Sequence, residues 1–324
     1  VLSRSGEGDL IRIASRGSEL ALWQAHHVRD QIQQAAPAVA VEIVVVRTTG
    51  DRITDVPLSR IGDRGLFTKE IDSKLLDGSA DLAVHSLKDV PTELPSGLVL
   101  AAVTEREDPR DVLLCRPGLG ADLSSLSQGA RVGTSSLRRR SQLRARRPDI
   151  EVVDLRGNLN TRLARLDAGD YDAILLAAAG VLRLGWRERI TAWLEPDEWL
   201  PAVGQGALAL VTREDALQAR EVVMRLHSTT ASACVRAERA LLHALEGGCQ
   251  IPIGALGTMQ DGALHLDALV AGIDGSPLLR ASDSGAPASA EELGERVAGR
   301  LLGQGAGDVL ASIRASASTP VPPP

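Results

Sequence analysis

Apolar positions along the chain switch between a two-residue and a helical spacing, and the switches mark out the elements. Residues 11–15, Ile-Arg-Ile-Ala-Ser, read as a short buried strand running into Arg16-Gly17-Ser18. A helix follows to about residue 35, with Ser18 as N-cap and Ala21, Ala25, Val28 and Ile32 on one stripe. Val41 to Arg47 is a β-branched strand, and Thr48 to Gly65 is a glycine-punctuated loop carrying Arg52, Arg60 and Arg64. Phe67, Ile71 and Leu75 share the face of a second helix that Gly78 stops. Ala80 to His85 is a strand ending in Ser86-Leu87-Lys88-Asp89-Val90-Pro91, and Leu98 to Val103 leads to a charged break over 104–110.

The pattern then restarts. Strands at Val112–Cys115, Arg131–Thr134, Glu151–Leu155 and Ala173–Ala179 run into Ser135-Ser136-Leu137-Arg138-Arg139, Arg156-Gly157-Asn158 and Gly180-Val181-Leu182-Arg183. Leu159, Leu163 and Leu166 form the buried face of one intervening helix. Alternating strands and helices predict an α/β fold of two lobes, each a parallel sheet with helices on both faces, split near 105–110. Another strand runs to Val211, and a helix over about 230–245 aligns Ala233, Ala237, Leu241 and Ala244. Beyond it, strands at Ala255–Met259, Leu264–Val270 and Leu278–Leu279 are joined by Asp261-Gly262 and Asp274-Gly275 turns. With a helix near 290–302 they predict a small α+β domain, and the Pro/Ser/Ala-rich stretch 315–324 reads as a disordered tail.

Composition narrows the class. The 324 residues suffice for two or three domains, and 44% hydrophobic with 24% charged residues suits a protein with real cores in water. No apolar run reaches membrane-spanning length, and the first ten residues lack the apolar core of a secretion signal. Three cysteines, Cys115, Cys234 and Cys249, close no disulfide framework and match no zinc spacing, so no metal is expected. A reducing, cytoplasmic compartment fits them. The net charge of −6 argues against general nucleic-acid affinity, and one Phe and one Tyr give no base-stacking platform. Residues 138–147 nonetheless hold six arginines; Arg140, Arg144 and Arg147, at helical spacing, read as a solvated face.

Ligands of open α/β sheets bind beyond the carboxyl ends of the strands, where helix N-termini point. This chain places Arg16, Arg138 with Arg139, Arg156 and Arg183 at those junctions, Arg162 a turn further on, and Ser86, Ser135 and Ser136 beside them. Guanidinium grips carboxylate with two charge-assisted bonds, so the convergence predicts a ligand bearing several carboxylates or phosphates. Asp89 is an acid among cations: it caps the turn before Pro91, or it stabilises a cation and moves a proton. Lys88 reads as its partner or a surface group, and the six histidines as structural. In Leu245-Glu246-Gly247-Gly248-Cys249-Gln250 a helix ends at two glycines and a thiol follows on the turn. That thiol is a small apolar filler, a nucleophile or a point of covalent attachment. A non-catalytic two-lobed carboxylate binder and a nucleic-acid binder using 138–147 are the competing classes.

Taken in order, these motifs resemble the porphobilinogen deaminase (hydroxymethylbilane synthase) family over residues 10–310. The resemblance rests on Arg12-Ile13-Ala14-Ser15-Arg16 with Leu20-Ala21-Leu22-Trp23-Gln24-Ala25, and on Gly65-Leu66-Phe67-Thr68-Lys69-Glu70. It continues through Val84-His85-Ser86-Leu87-Lys88-Asp89-Val90-Pro91, Gly133-Thr134-Ser135-Ser136-Leu137-Arg138-Arg139 and Arg156-Gly157-Asn158 with Thr161-Arg162. Pro201-Ala202-Val203-Gly204-Gln205-Gly206 and Glu246-Gly247-Gly248-Cys249 complete it.

The resemblance implies two lobes like type II periplasmic binding proteins plus a smaller α+β domain. Its boundaries would be 9–104 with 203–227, then 105–202, then 228–314. It implies a transferase of tetrapyrrole and haem biosynthesis that condenses four porphobilinogens stepwise, releases ammonia and frees hydroxymethylbilane by hydrolysis. The implied cofactor is dipyrromethane, bound as a thioether to Cys249 and touched by Lys88, Asp89, Ser136, Arg138, Arg139, Arg156 and Gly157. Substrate contacts are implied for Arg16, Ser18, Ser86, Arg156, Arg162 and Arg183, and for Arg60 and Arg64, which stand where the family usually has lysine. Asp89 takes the catalytic position; Leu87 replaces a frequent methionine. A monomer without nucleic-acid or membrane partners is expected.

Overall fold

The computed structural model describes residues 10–48, 68–245 and 251–318. They form two compact units, 10–48, 68–107 and 207–232 in the first and 108–206, 233–245 and 251–318 in the second. Among the described residues the chain therefore passes between units three times, after Glu107, after Gly206 and after Ser232.

In the first unit β1 (Leu10–Arg16) turns into α1 (Glu19–Ala35), and β2 (Ala40–Val46) returns beside β1. The Ser18 hydroxyl accepts the Ala21 N–H at 3.4 Å, satisfying one of the helix's orphan donors. Ala25, Val28 and Ile32 of the expected stripe are fully buried against Ile11, Ile13, Leu82 and Leu210. Each large aliphatic buried there stabilises the unit by roughly 1.5–3 kcal/mol. The unit continues with α2 (Lys69–Leu76), β3 (Leu82–Ser86) and β4 (Leu98–Val103). The returning chain adds, in chain order, β10 (Leu208–Arg213) and α6 (Leu217–Met224). The sheet order is β2-β1-β3-β10-β4.

The second unit repeats this plan with β5 (Asp111–Cys115), β6 (Arg131–Gly133), α3 (Leu137–Arg146), β7 (Glu151–Val153) and α4 (Leu159–Asp167). β8 (Ala173–Ala177), α5 (Ala178–Arg183) and β9 (Ala192–Leu194) follow, in sheet order β7-β6-β8-β5-β9. Strands buried on both faces show the two-residue period directly. Val112, Leu114, Ile174 and Leu176 enter one core with Leu163 and Leu166, while Leu113, Ala173 and Leu175 enter another with Leu143 and Trp199.

Neither sheet is wholly parallel, which corrects the expectation. β10 runs antiparallel to β3 and β4, and β5 antiparallel to β8 and β9. Each is the first strand after the chain has changed units. Such a strand reaches its sheet without the βαβ crossover that enforces parallel pairing, so either direction is open to it.

A three-stranded antiparallel sheet of β11 (Ile253–Gln260), β12 (Ala263–Ala271) and β13 (Leu278–Gly285) completes the second unit. One face packs on α7 (Thr229–Ala244), α8 (Ala290–Gly303) and α9 (Ala306–Ser318) through Leu241, Leu266, Val297 and Leu310. A Cβ at Gly294 would lie 2.3 Å from the Ala237 carbonyl, so glycine lets α8 approach α7 closely. β13 is longer than the Leu278–Leu279 expected, because β12 carries its ladder out to Gly285 through polar residues. α9 runs past Ala315, into the stretch read as a tail; 319–324 lie outside the described residues. No helix among the described residues is long and apolar enough to cross a membrane.

Candidate active site

In the first unit, chemistry gathers where β1 and β3 end. Arg16 closes β1, and β3 runs through His85 and Ser86 into a single 3-10 turn, Leu87–Asp89. Leu87 and Val90 are buried and pin the turn, the Leu87 N–H bonding the Ala207 carbonyl at 3.0 Å and the Val90 N–H the Leu87 carbonyl at 3.1 Å. Asp89 is thereby held out in solvent with Lys88 half-buried beside it. No described residue hydrogen bonds the Asp89 carboxylate, so the turn-capping alternative is not the one adopted. Ser86 Oγ accepts from the buried Gln24 Nε2 at 2.9 Å.

His85, two residues before this turn on β3, is 6% exposed. Burial, with the charge of Arg16 adding to it, pushes its pKa down to about 4, so the ring is neutral. Its Nε2 has no hydrogen-bond partner.

In the second unit, too, cations stand at strand ends. Ser136 caps α3, its Oγ accepting the Arg139 N–H at 3.4 Å. Ser135 Oγ exchanges bonds with the Leu155 carbonyl and N–H at 2.9 and 3.0 Å, tying the loop after β6 to the end of β7. Arg138 and Arg139 turn inward from the first turn of α3 and converge on Asp111, the first residue of β5. Arg138 Nη1 donates to Asp111 Oδ2 at 2.6 Å and to the Leu200 carbonyl at 2.7 Å. Arg139 donates from Nη2 to Asp111 Oδ1 at 2.7 Å and from Nη1 to the Leu175 carbonyl at 2.9 Å. Trp199 Nε1 reaches Oδ2 at 2.9 Å and Gln205 Nε2 reaches Oδ1 at 2.8 Å. Burial alone would push the Asp111 carboxyl up; the two guanidiniums outweigh it and hold it well below the usual carboxylate range. The buried Nε of Arg139 remains without a partner.

Beside the N-terminus of α4, Arg156 keeps a buried Nη1 with no partner. Gly157 sits at φ 100°, and a Cβ there would come within 2.7 Å of Thr161 Cγ2. Glycine is what the turn requires. The Gly157 carbonyl accepts from Arg162 Nε at 2.9 Å, and Asn158 Oδ1 caps the helix through the Thr161 N–H at 2.9 Å. Arg183, 9% exposed at the end of α5, donates to the Gly206 carbonyl at 2.6 Å.

Arg138 and Arg139 thus share one anchor, and Arg156, Gly157 and Arg162 share one helix N-terminus. Asp111 and Trp199 escaped the sequence reading, and Gln205 entered it only within a motif, with no role assigned. The one available signal was an aspartate heading the apolar run Val112-Leu113-Leu114. The 140/144/147 stripe is not simply solvated: Arg140 pairs with Asp154 at 2.9 Å, and Arg147 with Asp149 at 2.7 Å. Cys249, Arg60 and Arg64 lie outside the described residues.

Two family models match the chain: "Porphobilinogen deaminase, dipyromethane cofactor binding domain" over residues 11–221 and "Porphobilinogen deaminase, C-terminal domain" over 232–303. The porphobilinogen deaminase of Syntrophobacter fumaroxidans is 51% identical over 304 residues, covering 94% of this chain and 98% of that protein. That of Chromobacterium violaceum is 52% identical over 307 residues, covering 95% of this chain and 99% of its own. Among solved structures, a TRAP periplasmic solute binding protein from Desulfovibrio salexigens is similar at 11% identity and a TM-score of 0.42, over 68% of this chain and 73% of that one. Matched by two family models that together span most of its length, the chain belongs to the porphobilinogen deaminase family.

Proposed function

We propose that this chain is a hydroxymethylbilane synthase, condensing four porphobilinogens head to tail, with loss of ammonia, and releasing the linear tetrapyrrole by hydrolysis. The observation that carries the reading is the buried pair Arg138 and Arg139, together with the half-buried Arg156, all with spare donors. Arg138 and Arg139 share one carboxylate, and Arg139 Nε and Arg156 Nη1 have no partner. Burying cations without anions is prohibitive, so this arrangement calls for a ligand that brings carboxylates. Pyrroles bearing acetate and propionate arms answer it.

The same orphaned donors fit a dipyrromethane, the cofactor of the matched family domain. When bound, that group supplies the free pyrrole α-carbon at which the product chain grows. Cys249 is the proposed thioether tether. The cofactor's carboxylates are assigned to Ser136, Arg138, Arg139, Arg156, Gly157 and Lys88. Arg16, Ser18, Ser86, Arg156, Arg162 and Arg183 orient incoming substrate, with Arg60 and Arg64 assisting. Ser18 and Ser86 already accept bonds from Ala21 N and Gln24 Nε2, which leaves their hydroxyl hydrogens to donate to a carboxylate.

Loss of ammonia leaves positive charge on the substrate pyrrole. The Asp89 carboxylate, exposed and unencumbered at its turn, stabilises that charge and takes up the proton released when the carbon–carbon bond forms. The working domains are proposed as 9–104 with 203–227, 105–202 and 228–314. A monomer in the cytoplasm, without nucleic-acid or membrane partners, completes the proposal.

Intact mass spectrometry of the denatured chain tests the reading. The purified protein should carry the added mass of a dipyrrole, and Cys249→Ser should abolish the thioether-linked load. A mass equal to the bare polypeptide would leave the two-lobed carboxylate binder as the better account.

A further inference from the structure

The ion cluster at the head of β5 is unbalanced. Two guanidiniums and one carboxylate meet there, with Arg138 4%, Arg139 6% and Asp111 0% exposed. Arginine keeps its proton in any protein setting, so the cluster holds one surplus positive charge. Asp111 has nothing left to give: Oδ1 takes Arg139 Nη2 and Gln205 Nε2, and Oδ2 takes Arg138 Nη1 and Trp199 Nε1. A carboxylate with two donors on each oxygen, all on different elements, is fixed in rotation as well as in place.

The arginines, by contrast, have donors to spare. Arg138 spends Nη1 on Asp111 and the Leu200 carbonyl, and its Nε and Nη2 meet no hydrogen-bond acceptor among the described residues. Nε with Nη2 is one of the edges through which guanidinium binds a carboxylate in two parallel bonds. Arg139 spends Nη1 and Nη2 and leaves Nε buried and unpaired.

We propose that Asp111 is a positioning residue: it locks Arg138 and Arg139 so that their unused donors and surplus charge accept one ligand carboxylate. This rests on the reading that those arginines bind pyrrole carboxylates. Asp111 touches no ligand in this account. Without it two like charges would share one buried site and drive their side chains apart. With it the ligand-free cluster is short of one anion, so a single acetate or propionate arm brings it to neutrality. Gln205 extends the lock, because its Nε2 also bonds the carbonyls of Pro109 and Arg110 at 2.7 and 3.2 Å. The strand head that bears Asp111 is held by the same side chain that holds the carboxylate.

The test compares full-length Asp111→Asn, Trp199→Phe and Arg138→Gln with the parent. Thermal midpoint, dipyrrole load by denatured intact mass and turnover per loaded molecule are measured for each. Folded Asp111→Asn should carry at least tenfold less dipyrrole, with turnover per loaded molecule within threefold of the parent. Loss of a locked fork weakens ground-state and transition-state binding alike. Trp199→Phe keeps every charge but leaves one acceptor site of Oδ2 unfilled, so it should load several-fold more slowly when the apo chain is given porphobilinogen. That variant decides the matter if Asp111→Asn does not fold. A folded Asp111→Asn, or failing that a Trp199→Phe, that loads at the parental rate and level while only its midpoint falls would overturn the proposal and leave Asp111 a plain stabilising ion pair. Arg138→Gln separates the two layers. An empty Arg138→Gln beside a full Asp111→Asn sinks the positioning role alone, whereas a normally loaded Arg138→Gln sinks the underlying reading.

Discussion

Leu87 and Val90 are 1% and 5% exposed, while Asp89 between them stands in solvent, so replacing its carboxylate by an amide disturbs no packing. Asp89→Asn should therefore unfold within about 2 °C of the parent. It should keep its dipyrrole by intact mass, yet lose about 100-fold or more of its turnover, the scale on which a positioned acid–base group contributes. Near-parental turnover would remove Asp89 from the chemistry. Asp89 could be picked out from sequence because it lies inside a local motif. Asp111 could not, because its partners are remote: Arg138 and Arg139 are 27 and 28 residues away, Trp199 is 88 and Gln205 is 94. An aspartate before an apolar run reads as a surface residue until the fold brings two arginines to it. Residue type announced that cations would gather at the strand ends; it did not say which of them the protein itself would neutralise.

At the scale of elements, the strand-to-helix junctions were legible because hydrophobic spacing changes there and a capping side chain marks the change. Ser18, Ser136 and Asn158 each accept the N–H expected of an N-cap. The short β9 and the eight-residue α6 were not legible; α6 exposes Leu217 and Met224, which breaks its apolar stripe. The antiparallel course of β5 and β10 was hidden for another reason: strand direction follows from which unit the chain arrives from, and no local spacing encodes that. The junction at α4 offers a direct test. Gly157→Ala must place a Cβ at φ 100° against Thr161 and should destabilise the protein by about 1–3 kcal/mol. It should also raise the KM for porphobilinogen, because the Gly157 carbonyl that orients Arg162 shifts with the turn. An unchanged denaturant midpoint would show that the loop relaxes freely and that glycine there is incidental.

For the whole molecule, the two units bury opposite kinds of titrating group, and their responses to acid should differ. In the first unit the folded pKa of His85 is about 4, against 6.5 for the free side chain. Between those values the unfolded state binds the proton and the folded state does not. Stability from this group is present above about pH 6.5 and is lost as pH falls toward 4, at about 1.4 kcal/mol per unit. The full loss is on the order of 3 kcal/mol, a large share of the stability of a compact unit. Asp72 in the same unit works against it, since burial raises its pKa and acid relieves that strain. In the second unit Asp111 is held below the usual carboxylate range, so its contribution persists above its unfolded value near 3.8 and fades only in stronger acid. Hydrogen exchange read by peptide mass at pH 7 and pH 5, corrected for intrinsic rates, can follow the units separately. Amides of residues 10–48 and 68–107 should lose protection at pH 5 while those of 108–206 keep theirs. His85→Gln, which retains a neutral polar side chain and cannot titrate, should flatten the response of the first unit. If His85→Gln leaves that acid response unchanged, the buried imidazole is not its source.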